Sequence, residues 1–488
     1  MKNKTISKSK YITGLQCPKL LWTHYNEKSA IPEPDEAKLA IFSIGHTVGD
    51  LAKELYPNGV EVPWTRDLTE TTRATTQLMA GRLPIFEASF EADGCYCRAD
   101  IMVPTDNDTW DLYEVKSATR VKEVNYLDVA FQTQVIERCG IKLNRLYLVH
   151  IDNTYVYRNK FDAKAYFHAE DITEEARKLQ PDVAPHIKQM HKVIDGDCPD
   201  VAIGQHCFKP YGCDLWKQCS HFLPENNVLD LYRIHKSKAF AMMDGGGPLA
   251  IADLPASSLS YHQKIQQQAV VTDKPVIDKD KIAKWINNLI YPLYCFDFET
   301  MNPAVPLFAK TRPYQQIPFQ FSLHIVESEN AEPQHVEYLA DTNEDPRPAL
   351  IEALKAIGPD GTILAYSMSF EQRIIRELAD AFPDEATFLN SLLNRFEDLI
   401  TPFSRFWYHD EKQRGSCSLK KVLPVLTDTS YEGMDISEGG QAAREFARAV
   451  FGDTDEDDKT STLLALRKYC QQDTQALVDI LRALQSRI

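Results

Sequence analysis

Asp111-Leu-Tyr-Glu114-Val-Lys116-Ser117 is the stretch that organises the reading of the first half of the chain. Its apolar and polar residues alternate, which predicts a strand over 110–116. Residues two apart on a strand leave the same face, so Glu114 and Lys116 point the same way. Asp100, in Cys97-Arg-Ala-Asp100-Ile-Met-Val103, closes the preceding strand of a hairpin. Phosphodiester hydrolysis asks for such a trio: two carboxylates to hold a divalent metal, and a lysine to orient or help deprotonate the attacking water. An E-x-K pair alone is commonly a surface ion pair, so the surroundings decide.

Upstream, one helical stretch carries Cys17, and a second, 40–55, carries His46. Short strands are predicted over 84–90, over 96–102 after the Asp93-Gly94 turn, and over 110–116 after Asp106-Asn-Asp108. An amphipathic helix over 124–139 leads to an apolar strand over 145–151. Residues 223–288 read as a polar, helical connecting module broken at Gly245-Gly-Gly-Pro248, a plain linker in preference to a DNA-gripping turn. Beyond Tyr291 the apolar strands are stronger, at 293–299, 319–326, 335–339 and 362–366, with helices near 348–357 and from Ser369. A last helix over 462–486 follows the acidic run Asp453 to Asp458, read as a solvated loop.

The 488 residues hold 54 Lys+Arg against 70 Asp+Glu, for a net charge of −16, and 43% are apolar. This describes a soluble multidomain protein, with a prior of two to four domains at roughly 150 residues each. No run approaches the roughly 20 apolar residues of a membrane span, and the lysine-bearing start has no apolar core behind it, so neither a membrane nor a signal peptide is expected. A cytosolic location follows. The charge is uneven: residues 1–290 sum to −3, residues 291–488 to −13, and the first 30 to +5. Clustered acids could serve solubility or gather metal cations.

With Glu114-Val-Lys116 stand His46 on an early helix, Glu87 in Ile85-Phe-Glu87-Ala-Ser-Phe90, Asp100, and Gln132 or Gln134 on the following helix. In order and spacing this set resembles the RecB-like branch of the PD-(D/E)xK nucleases across roughly residues 10–220. The resemblance implies metal ligation by His46, Asp100 and Glu114, catalysis by Lys116, and support from the glutamine and Glu87. Eleven cysteines occur, and Cys207, Cys213 and Cys219 are evenly spaced with five residues between neighbours. Tight C-x2-4-C pairs, the usual mark of structural zinc, are missing from this group. Cys17 with these three resembles the [4Fe-4S] staple of AddB-type helicase-nucleases and cluster-bearing CRISPR adaptation nucleases. Closing a loop of about 190 residues would restrain the unfolded chain.

In the acidic half, Tyr294-Cys-Phe-Asp297-Phe-Glu299-Thr300 puts two acids on one face of an apolar strand, and Tyr469 and Asp473 lie four apart on the last helix. Buried carboxylates are costly without a cation, and a two-metal centre needs several such oxygens and a group to aim water, a task open to Tyr469. The pattern resembles the tyrosine-bearing DEDD 3'-5' exonucleases, whose fold is RNase H-like. The middle motif departs: Ser367 and Glu371 stand where the family has Asn and Asp, with Asp398 a lesser candidate. Lys420 and Lys421 could face a nucleic-acid backbone, although an exposed basic turn is commoner.

The expected fold class is α/β, with a restriction-endonuclease-like core (1–222), the helical module (223–288) and an RNase H-like domain (289–488). The architecture resembles a bacterial family that fuses these two nuclease modules. The expected function is a metal-dependent nuclease with Mg2+ or Mn2+ and a [4Fe-4S] cluster, acting on DNA ends or single strands in repair or anti-phage defence. Two alternatives stay open: a DNA-end-binding component of a repair or defence complex with inactive centres, and an RNA-processing exonuclease.

Overall fold

Asp93 and Gly94 take φ of +51° and +73°, the backbone of a two-residue primed turn. They close a hairpin in which Ala92 faces Cys95. The computed structural model describes residues 4–244 and 246–488, so Gly245 of the expected glycine break lies outside the described residues. The chain divides into two units, Met1–Phe222 with Pro303–Gln315 and Leu223–Asn302 with Gln316–Ile488. Both are mixed α/β.

The first unit is built on seven strands: β1 (Ile6–Ser7), β2 (Val60–Glu61), β3 (Ile85–Ala92), β4 (Cys95–Pro104), β5 (Trp110–Lys116), β6 (Leu143–Ile151) and β7 (Phe167–Asp171). Their order is β2-β3-β4-β5-β6-β7, with β1 on β4. The link from β5 to its parallel neighbour β6 runs through helix Glu123–Arg138. Alternation along each strand feeds two cores. Ile85, Met102 and Leu148 pack with Tyr11, Phe131 and Val183 of helices Lys8–Gln16, Glu123–Arg138 and Thr173–Asp195. Phe86, Ile101 and Val149 pack on the opposite face with Val48, Ala52 and Tyr166. Tyr166 also donates to the Ala304 carbonyl, which ties residues 303–315 to this unit.

The predicted strands and helix of the hairpin region agree with these elements within two residues, whereas β1, β2, β7 and helix Thr173–Asp195 were not anticipated. Two-residue strands carry no alternation, and Pro181 and Pro185 inside the long helix read as breakers.

In the second unit β8 (Val276–Ile277) pairs with β14 (Tyr408–His409). The main sheet holds β9 (Leu293–Met301), β10 (Ile317–Val326), β11 (Gln334–Leu339), β12 (Thr362–Ala365) and β13 (Phe396–Asp398), in the order β11-β10-β9-β12-β13. Residues 223–288 pack inside this unit: Arg414 pairs with Asp230 at 2.8 Å, and the Asp278 N–H donates to the Trp407 carbonyl at 2.7 Å. The acidic run is only partly a loop. Helix Glu456–Gln485 starts within it, capped by Asp455, because acids in a first turn favour the helix dipole, and Asp458 pairs with Arg448. Among the described residues no helix is long and apolar enough to cross a membrane.

Gly361 enters β12 at φ +91°, and a Cβ there would collide with the Pro292 carbonyl oxygen. Gly361→Ala is expected to destabilise the second unit by more than about 1 kcal/mol. A lowered urea midpoint in that unit's transition would demonstrate it, and an unchanged midpoint would contradict it.

Candidate functional site

The centre of the second unit sits where β9, β12 and two helices converge. Asp297 and Glu299 project from β9, Glu371 from the first turn of helix Ser369–Ala381, and Asp473 from helix Glu456–Gln485. Ligand oxygens of Asp297, Glu299 and Asp473 all lie within 4.8 Å of one another. Glu371 hydrogen-bonds Asp297 through its side chain, and its Oε2 is buried without a partner. Tyr431 Oη donates to Asp473 Oδ1 at 2.5 Å, and Tyr469 also bonds this carboxylate. These acids and Tyr469 line a cavity of about 440 Å³.

The turn into Glu371 is held by Asp398. Ser367 takes φ +67°, and its N–H and that of Met368 donate to the two Asp398 oxygens at 2.9 and 3.2 Å. Asp398 therefore braces the loop, and Glu371 enters the acid group. Lys420 places its ammonium 5.4 Å from the Tyr431 ring and 5.5 Å from that of Tyr469, and donates to the Ser437 carbonyl. Lys421 is exposed.

Burial pushes Asp297, Glu299 and Glu371 well above the usual carboxyl range, and neighbouring acids add to the rise. Asp473 is raised only to about 6: burial lifts it, while Tyr431, Lys420 and Tyr469 favour its anion. Four hard oxygen donors lining one cavity suit Mg2+ or Mn2+.

In the first unit, Glu114 is fully buried at the end of β5. Its Oε1 accepts from Lys116 at 2.6 Å and from Lys8 at 2.5 Å, and its Oε2 from Gln132 at 2.7 Å. The open choice between Gln132 and Gln134 thus falls on Gln132. Lys116 also reaches Asp128 at 2.9 Å. Burial opposes the Glu114 anion, yet Lys116 and Lys8 outweigh it and hold this carboxyl well below its usual range. Asp100, which accepts from the Val115 N–H at 2.7 Å, is pushed up to about 7 by burial and by Glu114.

His46 and Glu87 differ from Glu114 in burial, the first exposed and the second half-buried. His46 is exposed on helix Glu36–Ala52, which turns Val48 and Ala52 to the core, and it joins no group of three converging ligand atoms among the described residues. Residues 46 and 48 are about 200° apart around a helix, which explains why His46 is exposed while Val48 is buried. Glu87 occupies an unpaired position of β3 at φ +60° and ion-pairs with Arg98 at 2.9 Å.

Cys17, Cys213 and Cys219 share one apolar cluster with Leu20 and Leu215, and the Cys213 N–H donates to the Cys207 carbonyl at 2.9 Å. All four thiols are free. Burial pushes Cys213 up to about 11, with the other three sulfurs adding to the rise, so the four share one neighbourhood.

Lys8, Asp128 and Tyr431 escaped sequence reading as members of these sites. Asp128 and Gln132 are four apart on one helix, a spacing that could have disclosed them. Lys8 and Tyr431 carry no such signal.

The family described as "Domain of unknown function (DUF2779)" matches residues 294–418. That span contains Asp297, Glu299 and Glu371, and stops before Tyr469 and Asp473. The chain is also similar to the "Uncharacterized protein MG366 homolog" of Mycoplasma pneumoniae (strain ATCC 29342 / M129 / Subtype 1), 28% identical over 207 residues. The match covers 38% of this chain and 31% of that protein, under a third of the relative's length.

A carboxyl whose pKa rises on folding stabilises the fold while protonated, and that contribution is lost as pH climbs through the folded value, about 6 for Asp473. A divalent cation binds the ionised forms, so its stabilising effect grows over the same interval. The Mn2+-induced rise in Tm is expected to be larger at about pH 8 than at about pH 5, and to vanish in Asp297→Asn. A Mn2+ effect independent of pH would contradict this.

Proposed function

We propose that the chain is a metal-dependent nuclease with two active centres, acting on DNA ends or single strands in repair or anti-phage defence. The observation that carries the reading is the convergence of Asp297, Glu299 and Asp473 within 4.8 Å, with Glu371 bonded to Asp297 and Tyr469 to Asp473. On this reading the second unit is an RNase H-like exonuclease of the tyrosine-bearing DEDD type, and Glu371 replaces the family's middle aspartate by reaching from a helix one turn past Ser367.

A divalent ion bound there supplies Lewis-acid polarisation of a phosphoryl oxygen. Asp297, Glu299, Glu371 and Asp473 would hold it, and Tyr469, which bonds Asp473, would orient a water toward the phosphorus. Lys420 places positive charge at the rim, where a phosphate backbone would approach.

The first unit reads as a RecB-like PD-(D/E)xK centre. Asp100 and Glu114 are two carboxylates, enough for an ion that keeps waters and takes further oxygens from substrate phosphate. Lys116 stands ready to orient or deprotonate the water. A second reading, in which this unit binds DNA ends without cutting them, is favoured by the Glu114 oxygens being already engaged by Lys8, Lys116 and Gln132.

Cys17, Cys207, Cys213 and Cys219 fit a [4Fe-4S] cluster. They are free thiols, three of them in one apolar cluster with Cys207 beside it, yet they form no group within 4.8 Å, the spacing expected around a single ion. Four irons spread their thiolates wider.

With end-labelled single-stranded and duplex DNA and Mg2+ or Mn2+, Glu114→Ala and Asp297→Ala are each expected to remove a distinct set of products. Absence of cleavage by pure cluster-loaded protein would refute the nuclease reading. Loss of the Asp297-dependent products alone would favour the binding role for the first unit, and preferential cutting of matched RNA would move the substrate to RNA. Tyr469→Phe should lower kcat by roughly 10²-fold. Broad absorbance near roughly 400 nm, lost in Cys213→Ser, is expected of the cluster; stoichiometric zinc in a colourless preparation would overturn it.

A further inference from the structure

The N-terminal segment reaches the first carboxylate site by an unusual route. β5 pairs with β4 only from Ile101 onward, and β1 takes the stretch of β4 that β5 does not reach, with Ile6 opposite Cys95 and Ser7 opposite Tyr96. Ser7 then caps helix Lys8–Gln16, accepting from the Lys10 N–H. The first helical residue is thereby set beside the end of β5, and Lys8 Nζ lies 2.5 Å from Glu114 Oε1.

The other end of that helix is clasped by the cysteine-bearing loop. Gln16 Nε2 donates to the carbonyls of His206 at 2.9 Å and Tyr211 at 2.8 Å, and Cys17 terminates the helix inside the apolar cluster with Cys213 and Cys219. In between, Tyr11 stacks on Phe131, the neighbour of Gln132, with centroids 4.9 Å apart. Nine residues at about 1.5 Å each make a rod of about 14 Å, gripped by the cysteine loop at one end and the acid site at the other.

We propose that Lys8 is a positioning residue of the Asp100–Glu114–Lys116 site, and that the Cys17–Cys207–Cys213–Cys219 group sets its reach through helix Lys8–Gln16. This rests on reading that site as a nuclease centre. Lys8 and Lys116 share Oε1 while Gln132 takes Oε2, so the Glu114 carboxylate is fixed in its plane and its charge is divided between two ammonium groups. Without Lys8 the acid keeps only Lys116 on Oε1 and Gln132 on Oε2, so its charge falls on a single ammonium group and its orientation is less tightly held.

The test uses the full chain, with Asp297→Ala introduced so that only the first centre cuts. Lys8→Met is expected to lower kcat ten- to hundredfold, roughly, with KM within about twofold, and Lys8→Arg to recover most of the loss. Separately, without DNA, acetylation of Lys8 and Lys116 by acetic anhydride is followed by mass spectrometry. Cys213→Ser, which changes no residue of the rod, should speed Lys8 acetylation about tenfold and leave Lys116 within about twofold. Equal Lys8 acetylation with and without Cys213, both lysines accelerating together as in general unfolding, or Lys8→Met cutting at the parent rate would overturn the proposal. If Glu114→Ala still cuts in this background, the nuclease reading of the centre fails, while the acetylation rates still decide the coupling.

Discussion

Four carboxyl groups lining one cavity set the terms for the second unit. Asp297, Glu299, Glu371 and Asp473 cannot all ionise at such separations without an added cation, and burial penalises each charge further. The surrounding elements hold the group together in spite of that cost. β9 supplies two acids from one face, the Asp398-braced turn brings Glu371 in, and Gln320 of β10 donates to the Leu466 carbonyl of the helix that carries Asp473, at 3.0 Å. Relief is incomplete within the chain: Tyr431 and Tyr469 favour only Asp473, and Glu371 Oε2 has no partner.

The first unit meets the same cost differently. Glu114 is as deeply buried, but two lysines and a glutamine saturate its oxygens, so its charge is compensated by side chains from three separate parts of the sequence. The two centres therefore differ in what a cation adds. In one a bound cation would complete the charge balance; in the other it would have to share a carboxylate already engaged by ammonium groups.

The contrast governs how much was legible in sequence. Asp297, Glu299, Tyr469 and Asp473 were found because strand and helix periodicities carry them to one face, and Glu114, Lys116 and Asp100 for the same reason. Gln132 and Glu371 needed a helix geometry that local spacing suggests only loosely. Lys8 and Tyr431 were missed because their positions depend on tertiary routing, a two-residue strand on β4 and an irregular segment. The exposure of His46 was not legible, because helical spacing gives a residue's direction only relative to a core face unknown from sequence. The −16 charge is also not uniform in kind: part of it is three acids whose oxygens lie within 4.8 Å of one another, and the lysine-rich start delivers Lys8 to a carboxylate.

Diffraction at the manganese absorption edge from crystals soaked in Mn2+ near pH 8 addresses the carboxylate group most directly. An anomalous peak between Asp297, Glu299 and Asp473 is the predicted result. Crystals that take up Mn2+ elsewhere, with no peak among these three residues, would contradict their role as the cation site.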